Sequence, residues 1–283
     1  MVRPARCPPL AHELHYEASV CAARLLCGGE TSRAVLLEAV APLTGARTAG
    51  ARRRAAAAVL SRLGLGRRRQ VGPTGLHRIL AKLAEPAGRQ LLAYVIALGE
   101  PMLAGLASGL LHPYLVDRQT PAGMTTEEFS AVNANGLFEV AGAITHAAVA
   151  RYARHRWGQR DPSPTQRGLR VLRQAGILGS AWMARSAGRC LGYFPIVGLP
   201  DPACFAYALY AVHADHGQLR VDRVRAGLFV RLFLLRPIAV DYLLEEARRG
   251  GLIVEARSEI ARLVYPSLED AVAAILHAHR MGR

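Results

Sequence analysis

Ser163 to Leu178 reads SPTQRGLRVLRQAGIL, and this stretch decides how the second half of the chain is taken. Ser163-Pro164-Thr165 has the form of a helix start, where the missing proline N–H costs no hydrogen bond. Leu169 and Leu172 share one side at i, i+3 spacing, and Ala175-Gly176-Ile177-Leu178 ends the helix and passes into a strand. Arg167, Arg170 and Gln174 share the other side. A polar start, two inward leucines, then glycine and an aliphatic pair is how a recognition helix and the first wing strand of a winged-helix module read. Arg151, Arg154, His155 and Arg156, just upstream, could reach the same phosphates. A structural winged helix used for protein contact fits the same pattern, and the residues leave both uses open.

Towards the N-terminus, helical stretches at residues 17–27, 32–41 and 48–63 follow one another with short gaps, the spacing of a helix-turn-helix. On a 100° wheel Ala56, Val59, Leu60 and Leu63 form the inner stripe of the third. Arg47, Arg54, Ala51, Ala58 and Arg62 form its outer face, where small alanines let a groove approach the backbone and guanidinium groups reach phosphates or guanine edges. Arg67-Arg68-Arg69 beyond the helix would lie along the adjoining backbone or minor groove. The bland alternative is a solvated arginine face on an ordinary helix.

The rest also reads mostly helical, at 76–83, 88–98, 102–111, 126–133, 137–157, 165–175, 202–215, 223–233, 238–249 and 268–279. Strand signals are few; the best is 252–256 against 260–264 across Arg257-Ser258-Glu259, directly after a helix ending at Arg249-Gly250-Gly251. That helix carries Asp241, Glu245 and Glu246, an acidic face that repels phosphate and reads as a packing or docking element. Breakers gather at 64–75, 117–123 and 161–164. The expected architecture is mostly α: two helical domains, 1–125 with a helix-turn-helix and 126–283 with winged-helix-like units, plus a few short β-hairpins.

Composition narrows the partner. The 283 residues are 51% apolar, enough for a sizeable core, and 36 basic against 21 acidic residues give +15 with a pI near 10.6. Lys82 is the one lysine; every other basic residue is arginine. Codon bias can trade lysine for arginine, but it does not create a surplus of positive over negative charge. That surplus favours a polyanion, nucleic acid or an anionic surface. Five cysteines (Cys7, Cys21, Cys27, Cys190, Cys204) lack CxxC spacing, so they read as free thiols, with Cys21 and Cys27 expected in a buried helix face. With no apolar region behind Arg3 and Arg6, the expected location is the cytoplasm. The run LLAYVIALGEPMLAGLASGLLHPYLV (91–116) approaches the length of a membrane span, but a carboxylate at Glu100 and a helix-breaking Pro101 at its centre weigh against one, and a kinked or paired core helix is expected, with membrane association through this run as the alternative.

Catalytic signatures are missing: no GxSxG, no phosphate-binding loop with lysine, no GxGxxG after a strand. His213, Asp215 and His216 could form a metal site but read more simply as a solvated helix end. His12, His15, His277 and His279 sit near the termini, and Glu127-Glu128 reads as a helix start. No enzymatic activity, cofactor or metal is expected.

One resemblance covers most of the chain. Tyr16-Glu17-Ala18 and Gly29-Glu30-Thr31-Ser32 lead into Thr48-Ala49-Gly50-Ala51-Arg52-Arg53 and Ser61-Arg62-Leu63-Gly64-Leu65. An apolar helical middle follows, then Leu169, Leu172 and Gly176-Ile177-Leu178, and finally an aliphatic helix and hairpin. This order resembles the BrxA family of bacterial BREX phage-defence systems. The resemblance implies a non-enzymatic DNA-binding accessory protein of antiviral defence with winged-helix-like modules; the arginine-rich surfaces point to double-stranded DNA held at low sequence specificity by phosphate contacts. The resemblance also implies work beside other BREX components such as the methyltransferase and the PglZ-type protein. It carries a DNA-binding role to Arg47, Arg52, Arg53, Arg54 and Arg62, and to Arg167 and Arg170. The nearly lysine-free composition and the glycine-rich link 64–75 depart from the family pattern. A protein–protein adaptor in the same complex and an RNA-binding helical protein are the alternatives.

Overall fold

In the computed structural model the described residues are 14–65, 73–117, 119, 139–140, 143–159, 161–185, 188–196, 198–214, 217–257 and 259–281. The first half runs α1 (Tyr16–Cys27), α2 (Arg33–Val40), α3 (Ala49–Arg62), α4 (Gly75–Leu80), α5 (Glu85–Gly99) and α6 (Pro101–Leu115). Then come β1 (Glu139–Val140), β2 (Ala143–Thr145), α7 (His146–Trp157), α8 (Ser163–Gln174), β3 (Leu178–Arg185) and β4 (Gly188–Pro195). The remainder is α9 (Pro202–His213), β5 (Gln218–Arg220), α10 (Val221–Ala226), α11 (Leu228–Leu232), α12 (Pro237–Arg249), β6 (Ile253–Arg257), β7 (Ile260–Leu263) and α13 (Leu268–Met281). Helices dominate, and the few short strands form two small antiparallel sheets, β1-β2-β4-β3 and β5-β7-β6.

Contacts gather these elements into two units that interleave along the chain, one from Ile96–Leu199 and Gly227–Arg236, the other from Ala11–Val95, Pro200–Ala226 and Pro237–Arg283. The sequence expectation was a single division at 125/126. Packing instead returns distant segments to each unit, which composition along the chain does not record.

In the unit that holds the N-terminal helices, α1, α2 and α3 touch one another pairwise. Thr48 caps α3 by accepting from the Ala51 N–H, and Ala55, Ala56, Val59, Leu60 and Leu63 are buried along its inner side. α4 packs on α1 and on α13, and α13 lies along α9. Asp201 caps α9, accepting from the Ala203 N–H at 2.9 Å, and bonds Nδ1 of buried His279 on α13 at 2.7 Å. His77 is fully buried on α4: Nδ1 accepts from the Thr74 N–H at 2.9 Å and Nε2–H donates to the Leu63 carbonyl at 2.8 Å. That pair of bonds requires the neutral ring.

In the other unit, α8 contacts α6, α7 and β3. Gly105 on α6 meets the Trp157 ring, which itself stands edge-on to Tyr152 at 5.7 Å; an added Cβ at Gly105 would come within 2.8 Å of that indole. Buried His112 ties α6 to the segment after α11, with Nε2 on the Leu235 carbonyl at 3.0 Å and Nδ1 against Arg231 and Asp117.

The apolar run 91–116 is carried by α5 and α6, separated at Glu100, which is extended, with Pro101 in the first turn of α6. Among the described residues no single helix is long and apolar enough to cross a membrane; α5 and α6 meet that length and hydropathy only as a bent pair.

Three expectations need correction. The stretch 137–157 is not one helix: β1 and β2 precede α7, because Thr145 caps α7 by accepting from the Ala148 N–H and Ile144 pairs with Tyr193 on β4. The stretch 223–233 is broken at Gly227 into α10 and α11. Cys27 is exposed and Cys21 half-buried, since α1 ends at Gly28 and its last residue faces outward; Cys204 alone of the described cysteines is buried.

Burial holds the His77 pKa below its ordinary value, against the opposing bond to the Leu63 carbonyl. The unfolded chain therefore takes up the proton at higher pH, and folding stability falls as pH drops below about 6.5 through the depressed native value. His77→Gln keeps an acceptor for the Thr74 N–H without titrating in this range, so urea unfolding between pH 7 and pH 5 should show a smaller loss than wild type.

Candidate nucleic-acid interface

Each unit carries its own basic surface, and the two are built differently. On α3 the first turn has no acidic residue, Arg52, Arg53 and Arg54 are exposed, as is Arg47 just before the helix, and Arg62 is half-buried at the far end, about 15 Å along the axis. Among the described residues Arg47, Arg53 and Arg54 make no hydrogen bond or ion pair; Arg52 donates from Nε to the Ala46 carbonyl at 2.8 Å. Three successive arginines close to a helix N-terminus add to the positive end of its dipole, so they cost helix stability and favour an anion there. Arg67, Arg68 and Arg69 lie outside the described residues.

The second surface is centred on α8. Thr165, Gly168, Leu169, Val171 and Leu172 are buried, leaving Gln166, Arg170 and Arg173 exposed. The start is fixed by Asp161, which accepts from the N–H and Oγ–H of Ser163 at 2.9 and 2.6 Å, bonds that hold its carboxyl below the usual range. The end turns through Gly176 at φ +71°, with the Ile177 N–H on the Leu172 carbonyl, the left-handed close that sends the chain into β3. The β3–β4 hairpin then returns alongside, pairing Ser180 with Tyr193 and Trp182 with Leu191.

Between α8, the start of α7 and the hairpin is an open cleft of about 460 Å³, lined by His146, Gln166, Arg170, Arg173, Trp182, Arg189 and Tyr193 among others. None of the described lining residues is acidic. His146 Nδ1 lies 3.0 Å from the Tyr193 hydroxyl, and Gln166 Nε2 reaches His146 Nε2 at 3.5 Å. One tautomer serves both: Nδ1–H donates to Tyr193 and Nε2 accepts from Gln166, leaving the Tyr193 hydroxyl proton free to point elsewhere. Burial pushes the Tyr193 pKa up, opposed by the nearby Arg173 cation.

Of the two arginines foreseen here, Arg170 lines the cleft while Arg167 turns back, its Nε on the Ser163 carbonyl at 3.3 Å. Sequence reasoning grouped Arg167, Arg170 and Gln174; the residues that converge are Gln166, Arg170 and Arg173, which share i, i+4, i+7 spacing, joined by Arg189 and Trp182 from the hairpin. The helical spacing was available as a signal; the hairpin residues had none. Arg151, Arg154, His155 and Arg156 of α7 are exposed but do not line it.

The acidic helix α12 presents neither sign alone. Asp241 pairs with Arg225 at 2.6 Å, Glu245 with Arg248 at 2.8 Å and Arg249 at 3.1 Å, and Glu246 with Arg249 at 3.0 Å. Among the described residues no three histidine, cysteine or acidic side chains gather as a metal site; Asp215, His216, Glu127 and Glu128 lie outside them. No family model, curated protein or solved structure matches this chain.

Trp182 is 69% exposed whereas Trp157 packs against Gly105 and Tyr152. Acrylamide quenching of intrinsic fluorescence should therefore come mostly from Trp182, and Trp182→Phe should leave a weakly quenched, Trp157-dominated signal.

Proposed function

We propose that this protein is a non-enzymatic double-stranded DNA-binding accessory factor of low sequence specificity, held to the duplex by arginine–phosphate contacts. The observation that carries the reading is the uneven pairing of its arginines. Those of α12 are joined to carboxylates, whereas Arg47, just before α3, and Arg53 and Arg54 in it have no partner among the described residues. Evenly scattered charge would neutralise itself alike on both helices; a set kept apart from acids fits a polyanion.

Connectivity supports a finer description of the modules. In one unit β2, α7, α8 and the β3–β4 hairpin follow in order, and β2 pairs with β4. This is the order of a winged-helix module, in which α8 is the recognition helix and the hairpin the wing. The mutual packing of α1, α2 and α3 supports a helix-turn-helix with α3 as its reading helix. Together with the resemblance to the BrxA family, these features support a role in a BREX-like phage-defence system, in the cytoplasm, beside a methyltransferase and a PglZ-type protein. The self-neutralised α12 favours a second use, docking of a protein partner, for its own unit.

If roughly six phosphates are neutralised, affinity for a random-sequence duplex falls about 10³-fold between 50 and 200 mM salt. Fluorescence anisotropy measures it, and absence of binding at 50 mM would end the proposal. Charge reversal of Arg52, Arg53 and Arg54 together lowers the slope of log affinity against log salt by about 3, alike on every sequence. Arg170→Glu with Arg173→Glu applies the same test to the other unit.

A further inference from the structure

We infer that the cleft between α8 and the β3–β4 hairpin takes an unpaired nucleotide, with its base on the Trp182 indole and its phosphate among Arg170, Arg173 and Arg189. This rests on the duplex-binding reading and adds to it the form of nucleic acid that is recognised.

Tryptophan usually buries most of its ring, yet Trp182, in the middle of an eight-residue strand, leaves 69% exposed. The ring is not at a frayed end: its backbone is paired with Leu191, and the neighbouring pair Ser180–Tyr193 fixes the register. Leu191 and buried Leu169 also line the cleft, giving it an apolar floor beside the indole. Three guanidinium groups stand around the same space, from α8 and from β4, with no acidic residue among the described lining.

An aromatic face beside planar cationic donors matches a ligand that has a flat ring and a phosphate a few bonds apart, which is a nucleotide. Its volume, about 460 Å³, lies in the range of small-ligand sites. Inside a paired duplex each base is covered on both faces by its neighbours, so the indole would find no face to stack on. An extrahelical or unpaired base supplies one. The His146–Tyr193–Gln166 set adds directional polar groups at the edge of the cleft, suited to the edge of a base.

The test compares a fully paired duplex, the same duplex with one unpaired adenine, and free deoxyadenosine monophosphate, by anisotropy at 50 mM salt and by tryptophan fluorescence. The expected result is about tenfold tighter binding of the bulged duplex with quenching of Trp182 emission, a ratio on the scale that base–aromatic stacking supplies. Trp182→Ala should bring the ratio to one, Trp182→Phe should keep part of it, and Arg189→Ala, on an exposed hairpin position, should lower it without touching the ring. Equal affinity for both duplexes in wild type, or a ratio that survives Trp182→Ala, overturns the inference and leaves duplex binding standing. If neither duplex binds, the duplex reading fails. Quenching by the free monophosphate that disappears in Trp182→Phe would then keep the cleft as a free-nucleotide site, and no quenching would overturn the cleft as well.

Discussion

Strand β4 is hydrogen-bonded along both edges, to β3 from Leu178 to Arg185 and to β2 through Tyr193 and Gly192. That double pairing is what the basic cleft depends on. It places Trp182, Leu191 and Tyr193 on one face of the hairpin, and β2 leads at once into α7, so His146 is delivered beside Tyr193. Gly192 is required at the crossing: a Cβ there would collide with the Met183 side chain and come within 3.3 Å of Ala143 on β2. A hairpin paired on one edge would be free to twist, and a cleft assembled half from helix and half from hairpin would lose its shape.

Electrostatics divides the arginines into two populations with different work. Exposed pairs such as Arg225–Asp241 and Arg248–Glu245 contribute little stability, and their main effect is to cancel local field. Arg53 and Arg54 at the start of α3 have no acidic partner among the described residues, and Arg173 and Arg189 line the cleft with Trp182 and Tyr193. Arginine suits both roles because its planar fork can bind a carboxylate, a phosphate or a ring face without losing its charge.

One connectivity serves two chemistries. With α11 inserted between its helices, β5, α10, α12 and the β6–β7 hairpin repeat the order of β2, α7, α8 and β3–β4, and β5 pairs with β7 as β2 pairs with β4. In the first case the helix facing outward before the hairpin carries Arg170 and Arg173; in the second it carries Asp241, Glu245 and Glu246 tied to arginines. Topology sets where an outward helix will be, and the side chains on it set what it meets.

The helices were legible because their determinants are local. Leu169 and Leu172 mark the buried side of α8, Gly176 closes it, and Pro101 after Glu100 breaks the apolar run, each within a few residues of its effect. The outward arginines of α3 and the carboxylates of α12 follow from the same periodicity. What sequence could not supply was pairing between distant segments. Ala143-Ile144-Thr145 is too short to announce a strand and becomes one because β4 offers it an edge. Arg189 and Trp182, seven residues apart, meet Arg170 and Arg173 because the hairpin folds back on α8, and the two units interleave because Pro200–Ala226 and Pro237–Arg283 return to the N-terminal helices. Periodicity tells a residue which way to face; only closure of the chain upon itself decides which other residues it faces.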